Sequence, residues 1–306
     1  MSITFRSNIE PYLRPGLYKI RDNWGSLERE YSKVYGAGKK SQRAMEYWTD
    51  AMPLTPASII QEGQRLDPVS LTTDITYRVT HLTVAKTVGF TKEAKDDNLY
   101  YVKEFNNTSK ALFESIEKQK EILGFNILNT AFNDTQLPDG QPLASSAHPC
   151  INGTWSNRVG GNAIYVDLSE AGLEQAILLA KYMKDPAGNP MNMKLTKLVI
   201  PAALEFQMIR LLKSEFRPAV GNNDVNAIKF LFPNMPYITS VYLSSNSNWF
   251  GLTDKDDERI HFERQGIEYE KEMATLERKE YYTASARFSF SITPRGIIGA
   301  QGAPVA

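Results

Sequence analysis

The chain has 306 residues, 42% of them hydrophobic and 11% aromatic, enough apolar material for a sizeable core in one or two domains and too much for a disordered chain. Lys plus Arg is 35 and Asp plus Glu is 35, which excludes the whole-chain basic field of a protein that neutralises phosphates directly. The single cysteine, Cys150, excludes an intrachain disulfide framework and fits a reducing cytoplasm. With no apolar run of about 18 residues and no apolar stretch after a basic start, neither a membrane span nor secretion is expected.

The first fifty or so residues interleave Pro11, Pro15, Gly16, Gly25, Gly36 and Gly38 with Tyr12, Tyr18, Trp24, Tyr31, Tyr35, Tyr47 and Trp48. Glycines and prolines interrupt regular structure, while aromatic rings need something to bury against. Two readings satisfy both demands: an extended arm packed on another part of an assembly, or a peripheral subdomain with its own core.

From Leu66 to Phe90 the chain is dense in Thr and Val. Leu71, Thr73, Ile75, Tyr77 and Val79 alternate on odd positions, whereas Leu82, Val84, Val88 and Phe90 fall on even ones. The phase switch near His81 predicts a bulge or turn in a long strand or hairpin with one modestly apolar face. A ribbon of that kind is marginal alone and needs a neighbour.

Lys92 to Leu123 holds no Gly or Pro and places Leu99, Val102, Phe105, Ser109, Leu112, Ile116 and Leu123 at steps of three and four. This predicts one amphipathic helix roughly 48 Å long. Thr91 is its expected N-cap and Gly124 its terminator, with Lys95, Lys110, Glu114, Lys118 and Lys120 on other faces. A polar stretch from Asn129 to Asn157 follows, with a tight turn at Asp139-Gly140.

Further on, Ser169 caps a helix through Met183, Lys197 to Ile200 form a short buried strand, and Pro201 to Lys213 a second helix. Gly221 to Asp224 is a turn, Phe230 to Tyr242 is broken by Pro233 and Pro236, and Asn248 to Leu252 is a short apolar strand. The alternation of Tyr282, Ala284, Ala286, Phe288 and Phe290 draws one face of a terminal strand between Glu277 and Phe290.

No constellation for catalysis stands out. The three histidines, His81, His148 and His261, lack zinc-like spacing, and His148 with Cys150 offers two ligands only. Ser145, His148 and Asp139 could be drawn as a triad, yet no nucleophile elbow accompanies Ser145. Gly36 to Ser41 has Lys33 where a phosphate loop starts with glycine, so a surface turn is expected. Lys39, Lys40 and Arg43 read as a solvated loop. Val159 to Asn162 lacks the third glycine of a dinucleotide fingerprint. Asp254, Asp256, Asp257 and Glu258 lack the calcium-loop glycine and read as a solvated loop. No catalytic, cofactor-binding or metal-ligating residue is expected.

The order of parts, together with local wording, resembles a known family. Asp139-Gly140-Gln141-Pro142-Leu143, then Ser145-Ser146-Ala147-His148-Pro149, is similar to the loop after the spine helix in the Mu-like head-subunit group of tailed-phage major capsid proteins. Leu198-Val199-Ile200-Pro201-Ala202-Ala203-Leu204-Glu205 is similar to that group's strand-into-helix segment. Asn226, Pro236-Tyr237-Ile238 and Asn248-Trp249-Phe250 follow at the expected intervals. The resemblance spans roughly Glu62 to Gly299; the group often carries an aromatic before its late Arg-Gly, where this chain has Pro294.

The resemblance implies an α+β Hong-Kong-97-type shell fold divided as follows: residues 1–54 an N-terminal arm, 55–91 an extended β loop, 92–165 with 266–306 a peripheral domain around the spine helix, and 166–265 an axial domain. It implies a non-enzymatic major head protein that assembles with itself into pentamers and hexamers of an icosahedral virion shell. That shell would enclose double-stranded DNA without sequence-specific binding or a membrane, and would be assembled in the bacterial cytoplasm. A separate scaffolding protein is expected, because no long helical segment precedes the arm, along with a portal and decoration proteins. Some members of this fold cross-link a loop lysine to an asparagine of a neighbour; Lys86 would be that lysine, but non-covalent stabilisation is the expectation. The competing readings are an encapsulin-like compartment sharing the fold and a soluble enzyme.

Overall fold

A computed structural model of the chain describes residues 28–36, 38–54, 56–57, 59–62, 65, 73–97, 101–135, 137–151, 153–161, 164–215, 225–231 and 235–303. Tyr12, Tyr18, Trp24, Leu66, Leu71, Leu99, the 221–224 turn and Pro233 therefore lie outside the described residues, as do the side chains of Val102 and Phe105. In chain order the elements are α1 (Tyr31–Tyr35), β1 (Lys39–Lys40), β2 (Met45–Ala51), β3 (Thr73–Thr80), β4 (Leu82–Thr91), α2 (Lys92–Asp96), α3 (Tyr101–Asn129), β5 (His148–Cys150) and β6 (Gly153–Trp155). They continue with α4 (Glu170–Tyr182), β7 (Leu195–Pro201), α5 (Glu205–Lys213), α6 (Ala227–Leu231), β8 (Tyr237–Ser240), β9 (Trp249–Thr253), β10 (Arg259–Ala274), β11 (Lys279–Ile292) and β12 (Ile297–Ala300).

The outer sheet has the order β1-β10-β11-β4. In β11 the expected alternation holds: Tyr282, Ala284, Ala286 and Phe288 are buried in one cluster with Leu112 and Ile116 of α3, and Phe290, half-buried, packs against it. Period-2 side chains on the strand thus meet a helical stripe. β11 is not terminal, since β12 follows it. Its long partner β10 went unread in the sequence, because RIHFERQGIEYEKEMA is rich in charge and largely exposed after Phe262.

The long helix ends later than expected. Gly124 lies inside α3, which runs to Asn129. A Cβ there would meet Tyr31 Cβ at 3.3 Å, Tyr35 Cε2 at 3.5 Å and Phe290 Cε1 at 3.6 Å, so the missing side chain lets α1 and β11 approach the helix and does not stop it. Thr91 does cap a helix, accepting from the Ala94 amide at 3.2 Å, but the capped helix is the short α2. Lys120, expected on an outer face, is buried, because Glu117 of the preceding turn and Glu263 of β10 give it counter-charges.

His81 does separate two strands, as the phase switch predicts, but they do not form a hairpin with each other. β4 pairs with β11, whereas β3 pairs antiparallel with β2 to make a two-stranded ribbon. Trp48 of β2 stacks on Tyr77 of β3 and reaches Phe262 of β10. The His81 ring lies 2.9 Å from Ser41 Oγ and 2.9 Å from Ser289 Oγ. Ser41 spends its hydroxyl hydrogen on Glu46 Oε1 at 2.7 Å, so Nε2 of His81 donates to Ser41 and Nδ1 accepts from Ser289. Burial lowers the pKa of this imidazole, in keeping with a neutral staple at the strand joint.

The central sheet has the order β12-β9-β7-β8. Ser169 caps α4 by accepting from Gly172 N at 3.1 Å, β7 contains the expected buried strand, and β9 is buried throughout. Pro201 belongs to the end of β7, opposite Ser240, and a 3-10 turn at Ala202–Leu204 precedes α5; a residue without an amide hydrogen ends the strand and opens the helix. Leu198, Ile200, Trp249 and Ile298 face one core cluster with α4 and α5. Val199, Phe250, Leu252 and Ile297 face the other, with the end of α3 and α1.

Candidate functional site

Asp139, His148 and Ser145 come close together, but not as a triad. His148 Nδ1 donates to Asp139 Oδ2 at 2.7 Å, while Nε2 lies 3.1 Å from Asn157 Oδ1. Asn157 Nδ2 donates to the carbonyls of Leu143 (2.7 Å), Pro294 (2.8 Å) and Ile297 (3.3 Å), so Oδ1 is fixed as an acceptor, and the Ser145 amide uses it as well. Ser145 Oγ donates elsewhere, to Gln141 Oε1. With no base beside the hydroxyl, the arrangement can hold a loop against β12 but cannot activate a nucleophile. Asn157, which has no recognisable motif around it, is the residue that sequence reasoning missed.

The other sequence candidates are also structural. In the segment from Gly36 to Ser41, where a turn is expected, Gly36 has φ 69°, but Lys39 and Lys40 extend the outer sheet beside Phe262 and Glu263, and Ser41 is buried. Gly160 and Gly161 turn at φ 74° and 70°. Lys39 Nζ pairs with Asp257 at 3.0 Å, and Asp256 accepts from Arg259 Nη2. Arg259 is buried and donates to the carbonyls of Val34, Thr253 and Gly296, tying α1, β9 and the Pro294–Gly296 turn together. Among the described residues, no group of three His, Cys, Asp or Glu side chains could hold a metal, and no helix is long and apolar enough to cross a membrane.

Where α1 meets α3 the core is charged. Glu117, Lys120 and Glu121 are all buried. Glu121 Oε2 accepts from the Tyr31 amide at 2.9 Å, and the Tyr35 hydroxyl donates to Gly124 O at 2.7 Å. Tyr31 and Tyr35 therefore pack on the body of their own chain. Burial pushes the Glu121 carboxyl up to about 7 and the Tyr31 hydroxyl up to about 12, and pulls His261 down to about 4. A cleft of 450 Å³ opens beside them, lined by Arg29, Tyr31, Glu117, Lys120, His261 and Glu263 among others.

Large apolar side chains remain uncovered at several places, three of them notable. Ile59 is 97% exposed in the connection between β2 and β3, with Leu54 and Ile60 near it in sequence. Leu276, at the β10–β11 turn, is fully exposed, and Tyr269 and Met273 precede it on β10. In the central region Tyr182, Phe206, Phe230 and Leu231 are exposed, and an apolar groove of 230 Å³ lies between α4 and α6, lined by Ile177, Leu178, Ala227, Ile228 and Leu231. Exposed apolar groups of this kind are candidates for association surfaces.

Comparison with known proteins follows the same direction. The family described as phage capsid protein matches residues 75–300. No curated protein matches the chain. Among solved structures, the bacteriophage JBD30 capsid is similar over 95% of this chain and 71% of its own, at 10% identity and a TM-score of 0.52. A protein of Mycobacterium phage Adephagia is similar over the full length of both chains at 12% identity and 0.55, and the capsid of a native GTA particle over 95% and 96% at 10% identity and 0.60. A family match over most of the length, on a spine helix packed against a long hairpin and a separate central sheet, identifies the chain as a member of the phage capsid protein family, a major capsid protein with the Hong-Kong-97-type α+β fold.

Proposed function

We propose that this chain builds an icosahedral virion shell from pentamers and hexamers of itself, and that its role is structural, without catalysis. Copies that meet through heterologous contacts close into rings, and rings of five and six close a shell. Residues 1–54 serve as the arm, 55–91 as the extended loop lying across an adjacent copy, 92–165 and 266–306 as the peripheral domain, and 166–265 as the axial domain at the vertices. The shell contains double-stranded DNA without reading its sequence, and the balanced charge of the chain supports a wall that contains DNA without neutralising it. A separate scaffold, a portal and decoration proteins complete the particle, which assembles in the bacterial cytoplasm.

The observation that carries this reading is the ribbon. Among the described residues β2 and β3 pair only with each other, and a two-stranded ribbon with exposed Leu54, Ile59 and Ile60 beyond it is marginal in water without a neighbour. Replacing residues 52–72 by a short Gly-Ser turn is expected to leave a folded subunit, with far-UV circular dichroism and melting temperature close to the parent, that forms no shells in electron micrographs. Normal shells from that variant would overturn the assignment of the ribbon.

A further inference from the structure

Three carboxylates converge where the described chain begins. Glu30 precedes α1, and Glu117 and Glu121 lie one helical turn apart on α3. Glu121 is fully buried, and its Oε2 accepts the first amide of α1, that of Tyr31, at 2.9 Å. The remaining oxygen, Oε1, is buried and accepts no hydrogen bond, and the same is true of Glu30 Oε2. Buried carboxylate oxygens without donors are costly when charged, and one proton supplies both a donor and the loss of a charge.

Among the described residues, the surrounding charges do not compensate. The segment before α1 contributes Arg29, whose Nε is 2.9 Å from Glu117 Oε2, and Glu28, which is engaged with exposed Lys33. From α3 comes Lys120, 3.3 Å from Glu117 Oε1 and 3.6 Å from Glu263 Oε1 of β10. From β10 come also His261, which is neutral because burial holds it near 4, and Arg259, which faces Tyr35. Tyr242 adds a phenol raised by burial and then by Glu121 and Glu30, and Lys197 Nζ donates to the Lys33 carbonyl at the outer end of α1. Arg29 and Lys120 are thus committed to Glu117 and Glu263, and among the described residues no cation pairs with Glu121. The 450 Å³ cleft lined by Arg29, Tyr31, Glu117 and Lys120 opens beside the cluster, one helical turn from Glu121.

We propose that Glu121 is a proton-binding site that works as a latch: a proton on its buried carboxyl keeps α1 seated on α3, and its loss loosens α1. The consequence for pH has a definite sign. Glu121 stands at about 7 in the folded chain against an ordinary 4.5, with burial as the largest cause. A carboxyl raised in this way contributes its full stability below the ordinary value, loses it as pH climbs between the two, and costs most above about 7. The seat of α1 therefore weakens between about pH 5 and pH 8, within the single chain and independently of whether shells form.

Amide hydrogen exchange on the full chain between pH 5.5 and 8.5, corrected for intrinsic rates, tests this. Protection of residues 31–36 is expected to fall about tenfold across the range, while residues 198–200 of β7 stay constant. Glu121→Gln, which carries its own hydrogen on the side chain and cannot ionise, is expected to flatten the profile at the protected level. Glu30→Gln removes the neighbouring negative charge that helps to raise the Glu121 carboxyl and is expected to move the midpoint to lower pH. A flat profile in the parent chain, or an unchanged one in both variants, overturns the proposal.

Discussion

The central sheet and the outer sheet each have four strands, yet they cover their faces differently. In the central sheet successive residues of one strand go to different cores: Leu198 and Ile200 to the α4–α5 side, Val199 to the α1–α3 side. In the outer sheet the cluster formed with α3 takes alternate residues of β11, with half-buried Val84, Val88 and Phe90 of β4 and Ile267 of β10 beside them. The intervening face carries Thr87 and Thr283, Ser285, and a row of glutamates at Glu268, Glu270 and Glu272. A sheet covered on both sides specifies a domain that completes itself within one chain. A sheet covered on one side, continued by a two-stranded ribbon, leaves surface for copies of the same chain.

The comparison predicts sharply different tolerance on the two faces of the outer sheet. Phe288→Asp or Leu112→Asp places an unpaired charge in the contact between β11 and α3, where both parent side chains are almost fully buried. Each is expected to cost at least ~4 kcal/mol and yield insoluble protein. Thr83→Glu, on the open face opposite Arg287, is expected to change stability by less than ~0.5 kcal/mol in urea titrations. Soluble protein of parental stability from either aspartate variant would mean that the helix and sheet do not share a core.

A smaller effect is expected where the loop after α3 meets β12. Asn157→Leu removes the donor to three carbonyls and the acceptor shared by Ser145 and His148. Leaving such groups buried and unpaired is expected to lower unfolding free energy by about 3 kcal/mol, read from the urea midpoint at constant m-value. An unchanged midpoint would show that the loop is held by other contacts.

These contrasts explain what could be read from the sequence. β7, β9 and β11 announced themselves because burial on a strand leaves either a continuous apolar run or a period of two, and α3 because one stripe persists over many turns. β10 stayed hidden: its second half pairs with β11 through its backbone while presenting Glu, Lys and Tyr to water, so hydrogen bonding without burial leaves no apolar signature. Gly124 misled because glycine serves both as a stop and as a place of close approach, and only the position of Tyr31 and Tyr35, more than eighty residues earlier in the chain, distinguishes the two. The Asn157 hub and the Glu117–Lys120–Glu121 cluster join residues far apart in sequence, and a lone polar residue carries no mark of its distant partners.

The smallest expected effect tests the open face itself. Thr87 Oγ1 and Thr283 Oγ1 lie 2.9 Å apart across β4 and β11, directly opposite in register and exposed to water. A cross-strand hydroxyl pair of this kind contributes only a fraction of a kcal/mol, because water competes for both groups. The cycle of Thr87→Ala, Thr283→Ala and the double variant is therefore expected to give a coupling of about 0.5 kcal/mol in the dissociated subunit. If the face stays open in the assembled shell, the same coupling persists in particle disruption by denaturant. A coupling above about 1.5 kcal/mol in particles, against the small value in subunits, would instead show that a neighbour closes over the pair and excludes the competing water.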